Sequence, residues 1–233
     1  INELIQIDLT NLNFNQNETG KTSSLIRGIA KAFVDKKYLI GGFNAYIKSD
    51  VLIGSGLSSS ASFEILIAKI FSFLFNNNKI SVLELAKISK YAENEYFNKP
   101  CGLMDQLTCA LGGTVYIDFK NSEKPNFIKL KYDLTKKNYR MLLVNTSGNH
   151  SDLTDDYSLI PYEMKSVADY FQKENLREID DKLFNKINDL RKKVGDRAVL
   201  RAFHFVNENK RVDEILNSII KKNYKNIISL INK

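Results

Sequence analysis

The sequence has few of the side chains that build most ligand cages. Two cysteines among 233 residues, Cys101 and Cys109, cannot make a disulfide framework, and two bare thiols point to a reducing, cytoplasmic compartment. His150 and His204 are the only histidines; they lie far apart and neither is near a cysteine pair, so no zinc-type ligand cluster is spelled out. No apolar run is long enough to cross a bilayer: the longest, residues 65–75, is broken by Lys69 and Ser72. No signal peptide is visible. The chain begins at Ile1 and closes on a helical run, which suggests that further pieces exist at both ends.

Charge and composition narrow the class further. The net charge of +7 comes from lysines scattered along the chain, whereas a nucleic-acid surface concentrates them and interleaves aromatics. The nearest approach, Lys221-Lys222-Asn223-Tyr224-Lys225, reads as a solvated helix end. Such a charge still favours anionic small molecules, nucleotides among them, by steering. With 43% hydrophobic and 26% charged residues the chain is an ordinary soluble globular protein, large enough for one sizeable domain or two small ones.

Residues 49–75 organise the rest. An extended, β-branched stretch introduced by Gly41-Gly42 (residues 43–53) runs into Gly54, Ser55, Gly56, Leu57, Ser58, Ser59, Ser60 and Ala61, and an apolar helix follows. Glycines let backbone approach a ligand closely, and serines at a helix start can cap it. A strand, a glycine turn and a helix N-terminus together favour an anion. No Lys-Ser/Thr pair closes the turn as in a P-loop, and the third glycine of a dinucleotide fold is missing. An ordinary capped core helix has the same outline. The helix is apolar nearly all round (Phe63, Ile65, Leu66, Ile67, Ile70, Phe71, Phe73, Leu74), which predicts burial on most sides until Asn76-Asn77-Asn78 ends it.

Around this stretch the pattern alternates helix and strand. Residues 4–9 alternate like a strand. Thr22 or Ser23 is placed to cap a helix carrying Leu25, Ile26, Ile29, Ala30, Phe33 and Val34. Ser81 and Glu84 form a capping box for a helix with an apolar stripe of Leu85, Ile88, Ala92 and Tyr96. On the adjacent face Ala86 and Ser89 precede Glu93, so this glutamate can approach a neighbour, although a solvated glutamate fits the spacing equally. Pro100 stops that helix. Asp105 then falls in the first turn of a short helix reaching Leu111, amid apolar neighbours, where the dipole favours a carboxylate whether its role is structural or chemical. Gly112-Gly113 ends it, and residues 114–119 and 127–130 read as strands. A domain boundary is expected in the polar stretch Thr135-Lys136-Lys137-Asn138, dividing the chain into 1–136 and 137–233. The second part opens with a strand over residues 139–145 and is helical from Asp152, with loops at Gly148-Asn149 and Gly195-Asp196.

Two of these motifs occur together in one known family. GSGLSSSA resembles the phosphate-binding loop of the GHMP kinase superfamily, with a Leu-Ser-Ser-Ser-Ala form most similar to its galactokinase branch. Pro100-Cys101-Gly102-Leu103-Met104-Asp105-Gln106 resembles the galactokinase segment that carries the catalytic aspartate, in the same order and at a compatible separation. The resemblance implies an α+β GHMP kinase fold, with an N-terminal part like ribosomal protein S5 domain 2 and a C-terminal ferredoxin-like α+β part, both incomplete. It implies ATP as co-substrate, its phosphates cradled by Gly54, Ser55, Gly56, Leu57, Ser58, Ser59, Ser60 and Ala61. Mg²⁺ would be held by Ser60 and Glu93, Asp105 would be the catalytic carboxylate, and Gly102, Asp105 and Tyr157 would line the sugar pocket. The implied activity is phosphorylation of the anomeric hydroxyl of galactose by a monomer that binds neither nucleic acid nor membrane.

The resemblance has gaps. The family's Arg-containing segment ending in Gly-Glu-His and its glycine-rich third motif are not in this sequence, so the piece alone is expected to be weakly active or inactive. Where galactokinases often carry an Arg-rich helix, this chain reads Asp152-Leu153-Thr154-Asp155-Asp156-Tyr157 and continues without arginine. A kinase for galacturonate, an N-acetylated sugar such as N-acetylgalactosamine, or mevalonate remains open, as does a non-catalytic sensor of ATP and sugar. The tail Arg201-Ala202-Phe203-His204 also resembles the family and reads as packing.

Overall fold

The computed structural model describes residues 4–51, 56–133, 135, 139, 140, 142, 144, 154–179 and 185–232. The chain divides into two compact units. One comprises Ile1–Ile117, Phe127–Asp133 and Leu142–Asn145; the other comprises Asp118–Asn126, Leu134–Met141 and Thr146–Lys233.

The first unit is a helical layer with a small sheet. Helix α1 (Thr22–Asp35) buries Leu25, Ile29, Ala30 and Phe33 at the predicted spacing. Neither Thr22 nor Ser23 caps it. Lys21 holds the cap position, and the hydroxyl of Ser24 donates to the Lys21 carbonyl at 2.8 Å, a bond made from inside the helix. Helix α2 (Ser59–Phe75) buries Ala61, Glu64, Ile65, Ile67, Ala68, Phe71 and Ser72. Leu66, Phe73 and Leu74 are exposed, so one flank is covered by no described residue, against the expectation of burial on most sides. Phe71 meets Phe33 with ring centroids 5.4 Å apart, locking α2 onto α1. Asn76 caps the C-terminus and Asn77 and Asn78 take left-handed backbone, as their short polar side chains allow.

Helix α3 (Val82–Tyr91) starts at Ser81, whose side chain accepts from the Glu84 N–H at 3.2 Å, half of the predicted capping box. It passes directly into a π turn (Ala92–Tyr96). Leu85, Ile88, Ala92 and Tyr96 are all buried, as their spacing predicts. Helix α4 (Met104–Leu111) packs against α2 and α3 through Leu107 and Ala110 and ends at Gly112, whose φ of 66° suits glycine. Strands β1 (Thr114–Asp118) and β2 (Asn126–Leu130) pair in a two-stranded sheet close to the predicted bounds.

Residues 4–8 and 43–50 join no ladder among the described residues, although the first stretch alternates like a strand and the second was expected to be extended. Alternation marks which side chains face inward; a strand also needs a neighbour whose N–H and C=O groups match its own. Of residues 139–145, the described ones (Tyr139, Arg140, Leu142 and Val144) are likewise in no ladder, and the rest lie outside the described residues. The Gly148-Asn149 loop lies outside them too.

The second unit is helical among its described residues, with α5 (Thr154–Tyr170), α6 (Ile187–Val194), α7 (Asp196–Ile220) and α8 (Tyr224–Ile231). Val167 and Ala168 of α5, Leu190 of α6 and Ala198, Val199, Ala202 and Val206 of α7 form its core. Glu163 pairs with Arg197 and Arg201 across α5 and α7. Ala202 packs as expected of the tail motif, but the His204 side chain is 77% exposed and faces Glu208 at 3.9 Å rather than the core. No helix among the described residues is long and apolar enough to cross a membrane.

Candidate active site

The glycine-serine turn enters α2 through left-handed backbone. Gly54 and Ser55 lie outside the described residues; Gly56 has φ of 72° and Ser58, the N-cap of α2, has φ of 56°. A serine caps a helix from extended backbone, so left-handed Ser58 makes no side-chain cap bond, contrary to expectation. The first intrahelical bond runs from the Ser62 N–H to the Ser58 carbonyl at 3.0 Å. The N–H groups of Ser59, Ser60 and Ala61 therefore have no acceptor within the helix, and they gather at the positive end of a helix of 17 residues. Gly56 and Leu57 are exposed, and Ser58, Ser59 and Ser60 are half-buried.

Glu93 comes to this end of α2 from the π turn. Phe97 N–H bonds to the Ala92 carbonyl at 3.0 Å, five residues back, and Lys99 N–H to the Glu93 carbonyl at 3.0 Å. This wider turn sets Glu93 inward with 2% exposure, and Tyr96 fixes the turn by donating its hydroxyl to the Leu12 carbonyl at 2.7 Å. Turns of this kind recur at functional sites.

Three donors converge on the Glu93 carboxylate. Ser60 Oγ lies 3.0 Å and Lys99 Nζ 2.8 Å from Oε1, and Gln106 Nε2 lies 2.6 Å from Oε2. The Cys101 sulfur accepts from the same Gln106 amide at 3.6 Å. Burial pushes the Glu93 carboxyl upward, but the interactions with Lys99, Cys101 and Ser60 outweigh it and hold the group below the usual carboxylate range. The same surroundings push Cys101 to about 12, through burial first and Glu93 second, so this cysteine stays a thiol. Lys99 is the one exposed member of the cluster.

Sequence reasoning paired Ser60 with Glu93, and the structure brings them together. It missed Glu64, Lys99 and Gln106. Glu64 sits on the buried stripe of α2 at i, i+3, i+4 and i+7 from Ala61, and Gln106 on the stripe of Leu103, Leu107 and Ala110. A polar residue at a position that must be buried was the available signal.

Asp105 occupies the first turn of α4 as predicted, but its side chain is exposed rather than set among apolar neighbours. Its neighbour Gln106 is the residue tied to Glu93. Gly102 has open space where a side chain would begin, so its backbone is accessible on that side. Cys101 N–H bonds to Asn94 Oδ1 at 2.9 Å, which fastens the loop before α4 to the π turn. Tyr157 belongs to the other unit, in α5, with its ring half exposed.

The donor types at Ser60 and Glu93, a hydroxyl and a carboxylate, are the hard oxygen ligands that Mg²⁺ takes. A cation already occupies the expected place, because the Lys99 ammonium rests on the oxygen that Ser60 also touches. No group of three or more His, Cys, Asp or Glu among the described residues forms a metal cage. A separate cavity of about 380 Å³ by Phe43, Lys69, Phe73 and Leu74 lies near the far end of α2, away from this cluster.

Residues 24–113, which hold the whole cluster, match the GHMP kinases N terminal domain. Relatives of the chain include galactokinases from Clostridium tetani, 32% identical over 85% of this chain and 51% of the relative, and from Glaesserella parasuis, 31% identical over 85% and 51%. The galactokinase of Pyrococcus furiosus is 28% identical over 88% of this chain and 55% of its own length. The chain thus spans about half the length of the curated relatives it matches. Its fold is similar to that of Lactococcus lactis galactokinase, solved in complex with galactose, with a TM-score of 0.75 over 98% of this chain and 58% of that one at 24% identity. The GHMP kinase fold is accordingly α+β here, with helices predominant and the small sheet of the first unit.

Proposed function

We propose that this chain is the ATP-side core of a cytoplasmic sugar-1-kinase that transfers the γ-phosphoryl of ATP to the anomeric hydroxyl of galactose, giving galactose 1-phosphate and ADP. The observation that carries the reading is the pairing of Ser60 with Glu93 at the N-terminus of α2, joined through Gln106 to the helix turn that bears Asp105. The N–H groups of Ser59, Ser60 and Ala61 offer donors to the phosphates of ATP, and the buried α2 holds them in place, so little reorganisation accompanies reaction. Gly54, Ser55, Gly56, Leu57 and Ser58 complete the cradle.

Ser60 and Glu93 are the residues that hold Mg²⁺. The metal, when bound, neutralises phosphate charge. Glu93 suits this task because it is ionised and its orientation is fixed by bonds on both oxygens. Asp105 takes the proton of the attacking hydroxyl, or holds it by electrostatic attraction, as the new phosphorus–oxygen bond forms and ADP leaves. Gly102 meets the sugar through its backbone and Tyr157 lines the sugar pocket. The chain works as a monomer on small molecules, with its domain boundary in sequence at 136/137. A coupled ADP-release assay on the intact protein with galactose tests the reading. Galactose-dependent ADP release supports it, and tight binding of ATP and galactose without turnover would replace it with a sensor.

A further inference from the structure

The first unit buries two carboxyl side chains side by side, and only Glu93 has a part in the chemistry proposed above. Glu64 lies one helical turn beyond Ser60 on α2 and is fully buried. Its Oε2 accepts from Gln106 Nε2 at 3.2 Å, and the same amide donates to Glu93 Oε2 at 2.6 Å. Gln106 is itself fully buried, so its two N–H groups have no water to fall back on.

We propose that Gln106 and Glu64 are positioning residues for Glu93: the Gln106 amide, anchored on Glu64, pins Glu93 Oε2 and so turns Oε1 toward Ser60. This rests on the reading of Ser60 and Glu93 as the metal-holding pair. A carboxylate that binds through one oxygen must be stopped from rotating, and an amide bonded to the other oxygen does so. The amide in turn needs a second acceptor on the α2 side. Glu64 Oε2 supplies that acceptor at 3.2 Å. A leucine at 64 would remove the oxygen acceptor on the α2 side and leave the amide only Glu93 Oε2 and the Cys101 sulfur at 3.6 Å. Glu64 Oε1 is buried without a hydrogen-bond partner, a place where full ionisation would be costly.

The test is Mn²⁺ binding to the purified protein, read by electron paramagnetic resonance in the presence of a non-hydrolysable ATP analogue. Gln106→Met, close to the parent in volume, is expected to weaken Mn²⁺ binding by about 10-fold or more while still melting cooperatively. Glu64→Leu should weaken it in the same direction, and Glu64→Gln, which keeps a neutral acceptor, should bind like the parent. A folded Gln106→Met protein with parental Mn²⁺ affinity overturns the proposal. Should Gln106→Met not fold, the side-chain amide signals of Gln106 in the parent decide: they shift when Mg²⁺ is added to the analogue-bound protein, or the proposal is wrong. Ser60→Ala and Glu93→Gln serve as controls. If neither changes Mn²⁺ affinity, the metal-holding pair is itself misassigned and the positioning role falls with it. If both weaken binding and Gln106→Met does not, only the positioning role falls.

Discussion

Ser60 Oγ and Lys99 Nζ meet on one atom, Glu93 Oε1, at 3.0 and 2.8 Å. The hydroxyl belongs to the start of α2, 33 residues away in sequence, and the ammonium to the loop after the π turn. One oxygen therefore serves a ligand-type hydroxyl and a cation whose own side chain is 57% exposed and free to swing out.

Lys99 is on this reading a removable counter-ion. Lys99→Met should tighten Mn²⁺ binding up to about 5-fold, the equivalent of the roughly 1 kcal/mol that a partly exposed pair contributes at most. Titration of the variant followed by paramagnetic resonance measures this. A weaker affinity would instead make Lys99 a phosphate-side contact.

Asp105→Ala should lower turnover by about 10² to 10⁴, the usual contribution of a positioned acid or base, while the affinity for ATP stays near the parent value. Steady-state ADP release and a binding titration with an ATP analogue separate the two effects. An unchanged rate would remove Asp105 from the chemistry.

Glu64 gives the first unit a pH signature. Its folded carboxyl is raised from the model-peptide value of 4.5 to about 8, chiefly by burial. The folded state therefore keeps a proton that the unfolded chain gives up. The stability associated with that proton is fully present below pH 4.5, falls as pH rises through the interval, and is gone above about 8. The slope is at most about 1.4 kcal/mol per pH unit for one proton. Glu64→Gln should flatten the decline, so that the variant gains on the parent between pH 5 and 8 in urea unfolding curves; parallel pH profiles would show that Glu64 titrates normally.

Gly28 lets α1 come close to the π turn. A Cβ there would stand 2.9 Å from Ala92 Cα, Ala92 Cβ and Tyr96 Cγ. Gly28→Ala is expected to destabilise the protein by about 1–3 kcal/mol despite the better helix propensity of alanine. Because Ala92 adjoins Glu93, Mn²⁺ affinity should fall with it. A stabilised variant in denaturant unfolding would contradict this packing.

Helix positions were legible in the sequence because they depend on spacing, whereas the Ser60–Glu93 pairing was implied only by the family resemblance. Leu85, Ile88, Ala92 and Tyr96 can face one way only, but it is the π turn that sets Glu93 inward. The extended segments were not legible as unpaired, since residues 4–8 alternate like a strand, residues 43–50 read as extended, and only a neighbouring chain segment decides whether a ladder forms. Caps failed at Ser58 for a local reason: a left-handed residue cannot cap, and no propensity announces its φ. Glu64 on α2 and Gln106 on α4 are polar exceptions within buried stripes, which apolar spacing alone does not distinguish from solvated positions. The aspartate was recognised by its motif, while its exposure depends on how α4 lies against its neighbours, which spacing leaves open.

The π turn at Ala92–Tyr96 makes length as binding as chemistry. One residue more than an α turn requires shifts the phase of everything after Tyr91, and deleting one would rotate the following side chains by about 100° about the helix axis. Lys99, Cys101 and Gln106 would then leave Glu93 without any change in their identity. Between the Ser81 cap and the left-handed residue Asn98, related chains should therefore differ by substitution and hold their count.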